Sequence, residues 1–259
     1  MRIILNADDF GHSVATVQAT IDCFAQGALS SASIMPRMPA TQQALAFARA
    51  HPEWSFGVHL TFVTDDEERP LLPPARLPHL CRPDGRFRSS NQVRLLGLLR
   101  RIPPDEIARE MEAQLAFVRD HGVPISHVDS HGHTHKFAPF RQALEQVLPR
   151  FSVRRVRNVQ DLYLRRPLRS PTFWLGPMWR RALMARFVTT DQFFMPTSAG
   201  DVAWAEPLLR AARGPTLEVG VHPGPDGGEP FRAAERRELL HLAALLRGSG
   251  HTIISWRDL

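Results

Sequence analysis

Ile3-Ile4-Leu5-Asn6-Ala7-Asp8-Asp9-Phe10-Gly11 starts as an apolar run and ends on two adjacent carboxylates. A short apolar run without polar alternation is the pattern of a strand covered on both faces, as in a parallel sheet. Similar runs rich in Ile, Val and Leu predict strands near 2–6, 31–35, 56–60, 126–129, 153–157, 189–194, 216–221 and 251–255. Amphipathic stretches at 13–26, 40–50, 105–121, 137–149, 201–212 and 231–247 lie between them, several opened by Ser, Thr, Asp or Pro and closed near Gly. This β/α alternation predicts an α/β fold, a distorted TIM-like barrel of mostly parallel strands, in preference to an open doubly wound sheet. The 259 residues fit one domain over 1–259 with loop insertions at about 62–104, rich in Pro and charge, and 158–188, rich in Arg, Trp and Pro.

Composition narrows the class without naming a function. The hydrophobic fraction of 43% and charged fraction of 22% are those of a folded globular chain. Two cysteines, Cys23 and Cys81, are too few for a disulfide scaffold. The apolar run at residues 3–5 is too short for a signal peptide, and no apolar stretch approaches the roughly 18 residues of a membrane span. A cytoplasmic location is expected, with peripheral contact at the inner membrane face as an extension of it. The +6 net charge comes mainly from arginine, whose planar fork suits phosphates and carboxylates. A solvated arginine surface accounts for the same charge without any partner.

The chemistry-bearing residues fall at the ends of the predicted strands, the catalytic face of a β/α barrel. Asp8 and Asp9 end the first, where one carboxylate can ligate a cation while the other stands beside the attacking water; capping the following helix is the plainer alternative. His59 ends the third strand in Gly57-Val58-His59-Leu60-Thr61, although a lone histidine is more often structural. His127-Val128-Asp129-Ser130-His131-Gly132-His133-Thr134-His135 packs four of the 12 histidines and an aspartate into nine residues. Imidazole and carboxylate together make a borderline donor set suited to zinc and its first-row neighbours, and a triad of them leaves positions open for water and substrate. A mononuclear site needs at most two of His131, His133 and His135, so the remainder contact substrate or support the ligands. Asp129 is placed to orient a ligating imidazole. In Glu218-Val219-Gly220-Val221-His222-Pro223-Gly224 another strand delivers a histidine to its end, making His222 a candidate general acid as well as a strand terminator.

Taken together, NADDFG at 6–11, GVHLT at 57–61, HVDSHGHTH at 127–135 and EVGVHPG at 218–224 resemble the YdjC family of carbohydrate deacetylases, which includes chitooligosaccharide and hopanoid-linked deacetylases. Leu29–Met35, Leu71-Leu72-Pro73 and Asp84-Gly85-Arg86-Phe87 add weaker likenesses. The resemblance implies a distorted TIM-like barrel in which Asp9, His59 and His131 bind one divalent cation, Asp8 is the base and His222 the acid. Asp129, His133 and His135 are then supporting or substrate-binding groups. Zinc matches the ligand set best, with magnesium or another first-row metal as alternatives. The implied reaction removes the N-acetyl group of an amino sugar, on an oligosaccharide or a lipid-linked glycan, as acetate.

Partners expected on this reading are an N-acetylated sugar and, through 165–187, where arginines alternate with Trp, Phe, Leu and Met, an anionic membrane or a lipid-linked substrate. An ordinary amphipathic barrel helix explains the same segment. A homodimer is compatible with the sequence, and nucleic acid is not an expected partner. Two rival readings use the same residues: a phosphoesterase holding two or more metals, and a non-enzymatic basic protein that binds lipid or nucleic acid.

Overall fold

The computed structural model describes residues 1–65, 68–196 and 203–259. Among them, seven parallel strands form one curved sheet, a half-barrel with helices packed around it. In chain order they are β1 (Arg2–Phe10), β2 (Ser31–Ile34), β3 (Ser55–Leu60), β4 (Ile125–Ser130), β5 (Gln192–Phe194), β6 (Thr216–Val221) and β7 (Thr252–Ile254). The order across the sheet is β4-β3-β2-β1-β6-β5, with β7 paired to the first residues of β1. Every β1 residue after Arg2 is buried, which is why the run carries no polar alternation.

The helices are α1 (Val14–Ala25), α2 (Thr41–Ala50), α3 (Ser90–Leu98), α4 (Pro104–Asp120), α5 (Ala138–Val147), α6 (Pro171–Met184), α7 (Ala205–Ala211) and α8 (Pro230–Leu246). Local chemistry sets their starts. Ser13 and Thr16 close a capping box on α1, with Thr16 N–H donating to Ser13 Oγ at 3.2 Å and Ser13 N–H to Thr16 Oγ1 at 2.9 Å. Pro104 opens α4 with Asp105 and Glu106 in its first turn, where carboxylates meet the positive end of the helix. The two segments expected as loop insertions contain α3 and α6. Residues 201 and 202, at the start of the expected helix 201–212, lie outside the described residues.

The stretch 153–157 forms no extended strand. It makes single parallel bridges on each side, Val128 with Val156 and Arg155 with Val188. These suffice to seat Arg157 between β4 and β6, because the Arg157 N–H donates to the Val128 carbonyl at 3.0 Å. The sheet is therefore continuous from β4 to β5 on one side and only bridged on the other.

Close packing between strands explains Gly57. A Cβ there would stand 2.5 Å from Cε1 of His127, whose ring stacks on Trp256 at 4.8 Å and is fully buried. The neutral form of His127 follows from this burial, which pushes its imidazole down to about 3. Gly57→Ala is expected to lower stability by about 1–3 kcal/mol through overpacking, read as an earlier urea midpoint with an unchanged slope. An unshifted midpoint would show that the His127 ring moves aside freely.

Candidate functional site

At the end of β1 the chain leaves ideal strand geometry. The β1–β2 register shifts between Ala7 and Phe10, and Asp9 takes a left-handed φ of 58°, a conformation Asp tolerates better than most residues. The neighbouring carboxylates consequently have different partners. Asp8 meets Arg157 and the Asn6 amide (2.9 Å), while Asp9 meets His131, His59 and Arg232.

Asp9, His59 and His131 each offer a ligand atom, and the three atoms lie within 4.8 Å of one another. Oδ1 of Asp9 is 3.4 Å from His59 Nε2 and 3.2 Å from His131 Nδ1. Its other oxygen accepts from Arg232 Nη2 at 2.8 Å. His59 turns Nε2 to this cluster because its Nδ1–H donates to Asp129 Oδ1 at 2.8 Å. Asp129 is fixed in turn by Ser33 Oγ at 2.9 Å and Arg157 Nη1 at 2.8 Å. A carboxylate behind an imidazole is the usual support of a metal-binding histidine, setting its tautomer and ring angle. Burial opposes charge on His131, but Asp9, Asp65 and Glu68 outweigh it and push the imidazole up to about 10. Asp9 stays well below the usual carboxylate range: burial raises it, and His131, His222 and His59 together draw it down further.

Arg157 is completely buried and ties three strands together. Nη1 and Nη2 hold both oxygens of Asp8, Nη1 also reaches Asp129, and Nε and Nη2 reach Glu218 Oε1 at 2.9 and 2.7 Å. A Cβ on Gly220 would sit 3.3 Å from Nη2 and 2.8 Å from the end of Met195, so glycine opens the space the guanidinium occupies. Burial pushes Glu218 up to about 7 against the pull of Arg157. Opposite, Glu235 Oε2 accepts the His222 backbone N–H at 2.6 Å and faces His222 Nδ1 at 3.2 Å. Burial lowers His222, but Glu235, Asp9 and Asp8 overcome it and raise the imidazole to about 9.

His133 and His135 stand apart from the Asp9 cluster and line a neighbouring cavity, and both are held neutral, burial being the main cause. Arg157, Arg232, Glu218 and Glu235 were not singled out from sequence. Arg157 had a signal, as a charge at the end of a predicted strand, and so did Glu218, a carboxylate inside an apolar run. Arg232 and Glu235 had none, since α8 carries charge on several faces and its pattern does not tell which charges turn inward.

Comparison with known proteins agrees with this architecture. Residues 2–248 match the model of the YdjC-like protein family. A carbohydrate deacetylase of Geobacillus stearothermophilus is 32% identical over 224 residues, covering 85% of this chain and 78% of that relative. The carbohydrate deacetylase of Brevibacillus brevis is 29% identical over 228 residues, 86% of this chain and 81% of that relative. A solved structure from Enterococcus faecalis V583, a protein whose name refers to cellobiose-phosphate cleavage, superposes with a TM-score of 0.77 at 20% identity, covering 99% of this chain and 98% of its own, and shows the shared fold. From strand ends to overall course, the chain belongs to the YdjC-like protein family.

Proposed function

We infer that the protein is a metal-dependent carbohydrate deacetylase that hydrolyses the N-acetyl group of an amino sugar. The observation that carries this is the convergence of Asp9, His59 and His131, whose ligand atoms lie within 4.8 Å of one another at the strand ends. His59 is already turned toward that point by Asp129 behind it. A divalent cation there would take the place of the proton that Asp9 and its neighbours hold on His131, in a coordination that zinc, magnesium or a first-row neighbour accepts. A second cluster of possible ligands, Asp8, His59 and Asp129, has its carboxylates taken by Arg157. A site for one cation would favour deacetylation over a multi-metal phosphoesterase. Relatives named carbohydrate deacetylases support the same substrate class.

When bound, the cation supplies Lewis acidity to the acetyl carbonyl and to a water. Asp8 takes the water proton, with Arg157 and Asn6 fixing the direction in which its oxygens point. His222, its Nδ1 held by Glu235, uses Nε2–H to protonate the departing amine nitrogen. The C–N bond breaks, the water oxygen stays on the acetyl carbon, and the products are acetate and a free amino sugar.

Asp8→Asn is expected to cut kcat by about 10²–10⁴-fold with metal content unchanged, whereas His59→Ala loses the metal itself, read by elemental analysis of the purified proteins. Near-normal turnover in Asp8→Asn with cation bound would remove Asp8 as the base. The acid role makes a pH prediction. A raised His222 keeps its proton through neutral pH and loses it as pH rises through about 9, so kcat/KM should fall on that alkaline limb. Glu235→Gln removes the supporting carboxylate and should move the limb to lower pH; an unmoved limb would assign it to another group.

The lipid-linked form of the substrate is supported by the outer surface of α6. Trp174 and Met178 of α6 are 65% and 59% exposed, as are Leu168 before it (58%) and, at α3, Leu95 and the following Leu99 (57% each). Six arginines and no acidic residue occur in 165–187, so the segment is basic as well as apolar, and an anionic bilayer complements both features. Liposomes containing phosphatidylserine should float the protein, and Trp174→Ala with Met178→Ala should abolish flotation; equal flotation would remove the membrane contact.

A further inference from the structure

One face of α4 holds the insertion 62–104 in place. Glu106, Glu110 and Gln114 are four residues apart and buried, so they share that face. Glu106 Oε1 accepts the backbone N–H groups of His79 and Leu80 at 2.8 Å each, and Glu110 accepts those of Leu71 and Leu72 at 2.9 and 3.0 Å. Gln114 pairs with both backbone groups of Thr61, where the chain leaves β3. Anchored at these points, the insertion gives its carboxylates Asp65 and Glu68 set places.

Both carboxylates meet the side of His131 that is turned away from Asp9. His131 Nδ1 stands 3.2 Å from Asp9 Oδ1, while the buried Nε2 lies 3.5 Å from Asp65 Oδ2 and 3.8 Å from Glu68 Oε1. These are ion-pair separations that a small side-chain rotation turns into a hydrogen bond. Glu68 is 2% exposed, and its Oε2 accepts the Asp65 N–H at 3.0 Å and the Thr64 hydroxyl at 3.2 Å, which leaves Oε1 to face the imidazole. Asp65 Oδ2 also accepts the Ser90 hydroxyl at 3.0 Å. Ser90 comes this close because the residue after His131 is Gly132: a Cβ there would stand 2.9 Å from Ser90 Oγ, on a backbone with a left-handed φ of 65°.

We propose that Asp65 and Glu68 are positioning residues for His131, holding its Nε2–H so that Nδ1 is presented to the cation. An imidazole that binds a cation through one nitrogen keeps its proton on the other, and a carboxylate behind that proton fixes the tautomer and the ring angle. His59 has this support from the sheet, through Asp129 of β4. His131 has it from the insertion, so half of the ligand set is aligned only when the chain after β3 is folded onto α4. The inference rests on the reading of Asp9, His59 and His131 as cation ligands.

Zinc affinity of the metal-stripped protein, measured by competition with a chromophoric chelator, tests the role. Asp65→Asn/Glu68→Gln is expected to bind zinc about tenfold to a hundredfold more weakly than the unsubstituted protein, and its cobalt-loaded form should show altered visible absorption as His131 loosens. A purely structural effect on the insertion would weaken binding with or without the imidazole, so the decisive arm is a double-mutant cycle. In His131→Ala the same two substitutions should cause at most a small further loss. Full additivity, or unchanged zinc affinity in the Asp65/Glu68 variant, would overturn the proposal. Asp65→Asn alone, at a half-exposed carboxylate, covers the case in which Glu68→Gln disturbs folding; a severalfold loss supports the role and no loss removes it. Equal zinc binding by His59→Ala and the unsubstituted protein brings down the cation reading and this inference together. Zinc binding that is lost in His59→Ala yet indifferent to Asp65 and Glu68 sinks the positioning role alone.

Discussion

One guanidinium organises the catalytic end of this half-barrel. Arg157 draws carboxylates from β1, β4 and β6 to a fully buried point, and each would be costly there without it. Removing one partner of a buried charge group commonly costs about 3–5 kcal/mol, because the remaining charges are stranded. The network does more than compensate itself. By holding Asp129 it fixes His59, and by holding Asp8 it separates that carboxylate from Asp9, so the orientation of two different functional groups is inherited from one side chain.

That arrangement needs the parallel topology. Strands running the same way place all their C-terminal ends on one rim, so residues as distant in sequence as Asp9, His59, Asp129 and His222 meet without long loops. Arg157 reaches the same rim from a segment with only single bridges on each side. The sheet is weakest where its most connected side chain enters, and ion pairing to β1, β4 and β6 substitutes for the missing ladder.

Much of the fold was legible because buried parallel strands write themselves as apolar runs, and because Asp8, Asp9, His59, His131 and His222 interrupt or end those runs with groups that a core does not need. The segment 153–157 reads as a strand by the same rule, yet Arg154, Arg155 and Arg157 leave it too charged for an extended ladder. α3 was hidden in a stretch rich in Pro and charge, where Leu95 and Leu98 point to solvent and blur the helical period, whereas α6 matches the amphipathic helix that explains 165–187. Arg232 and Glu235 were illegible for a different reason. Their importance lies in what faces them across the sheet, which helix periodicity does not encode.

The histidine-rich stretch shows how far residue identity underdetermines chemistry. His127 lies under Trp256 with burial dominating, so it remains a neutral packing ring. Four residues later the same burial is outweighed by Asp9, Asp65 and Glu68, and His131 binds a proton tightly. A group that holds a proton strongly among carboxylates can yield it to a better-matched cation, so under the proposed function the protonated cluster and the cation site would be one arrangement in two states. His133 and His135 follow within four residues but are buried with Lys136 and Arg157 nearby, so positive neighbours reinforce burial and keep them neutral. Sequence spacing places His131, His133 and His135 on one turn; the sign of the charges on either side of that turn decides whether each is held protonated or neutral.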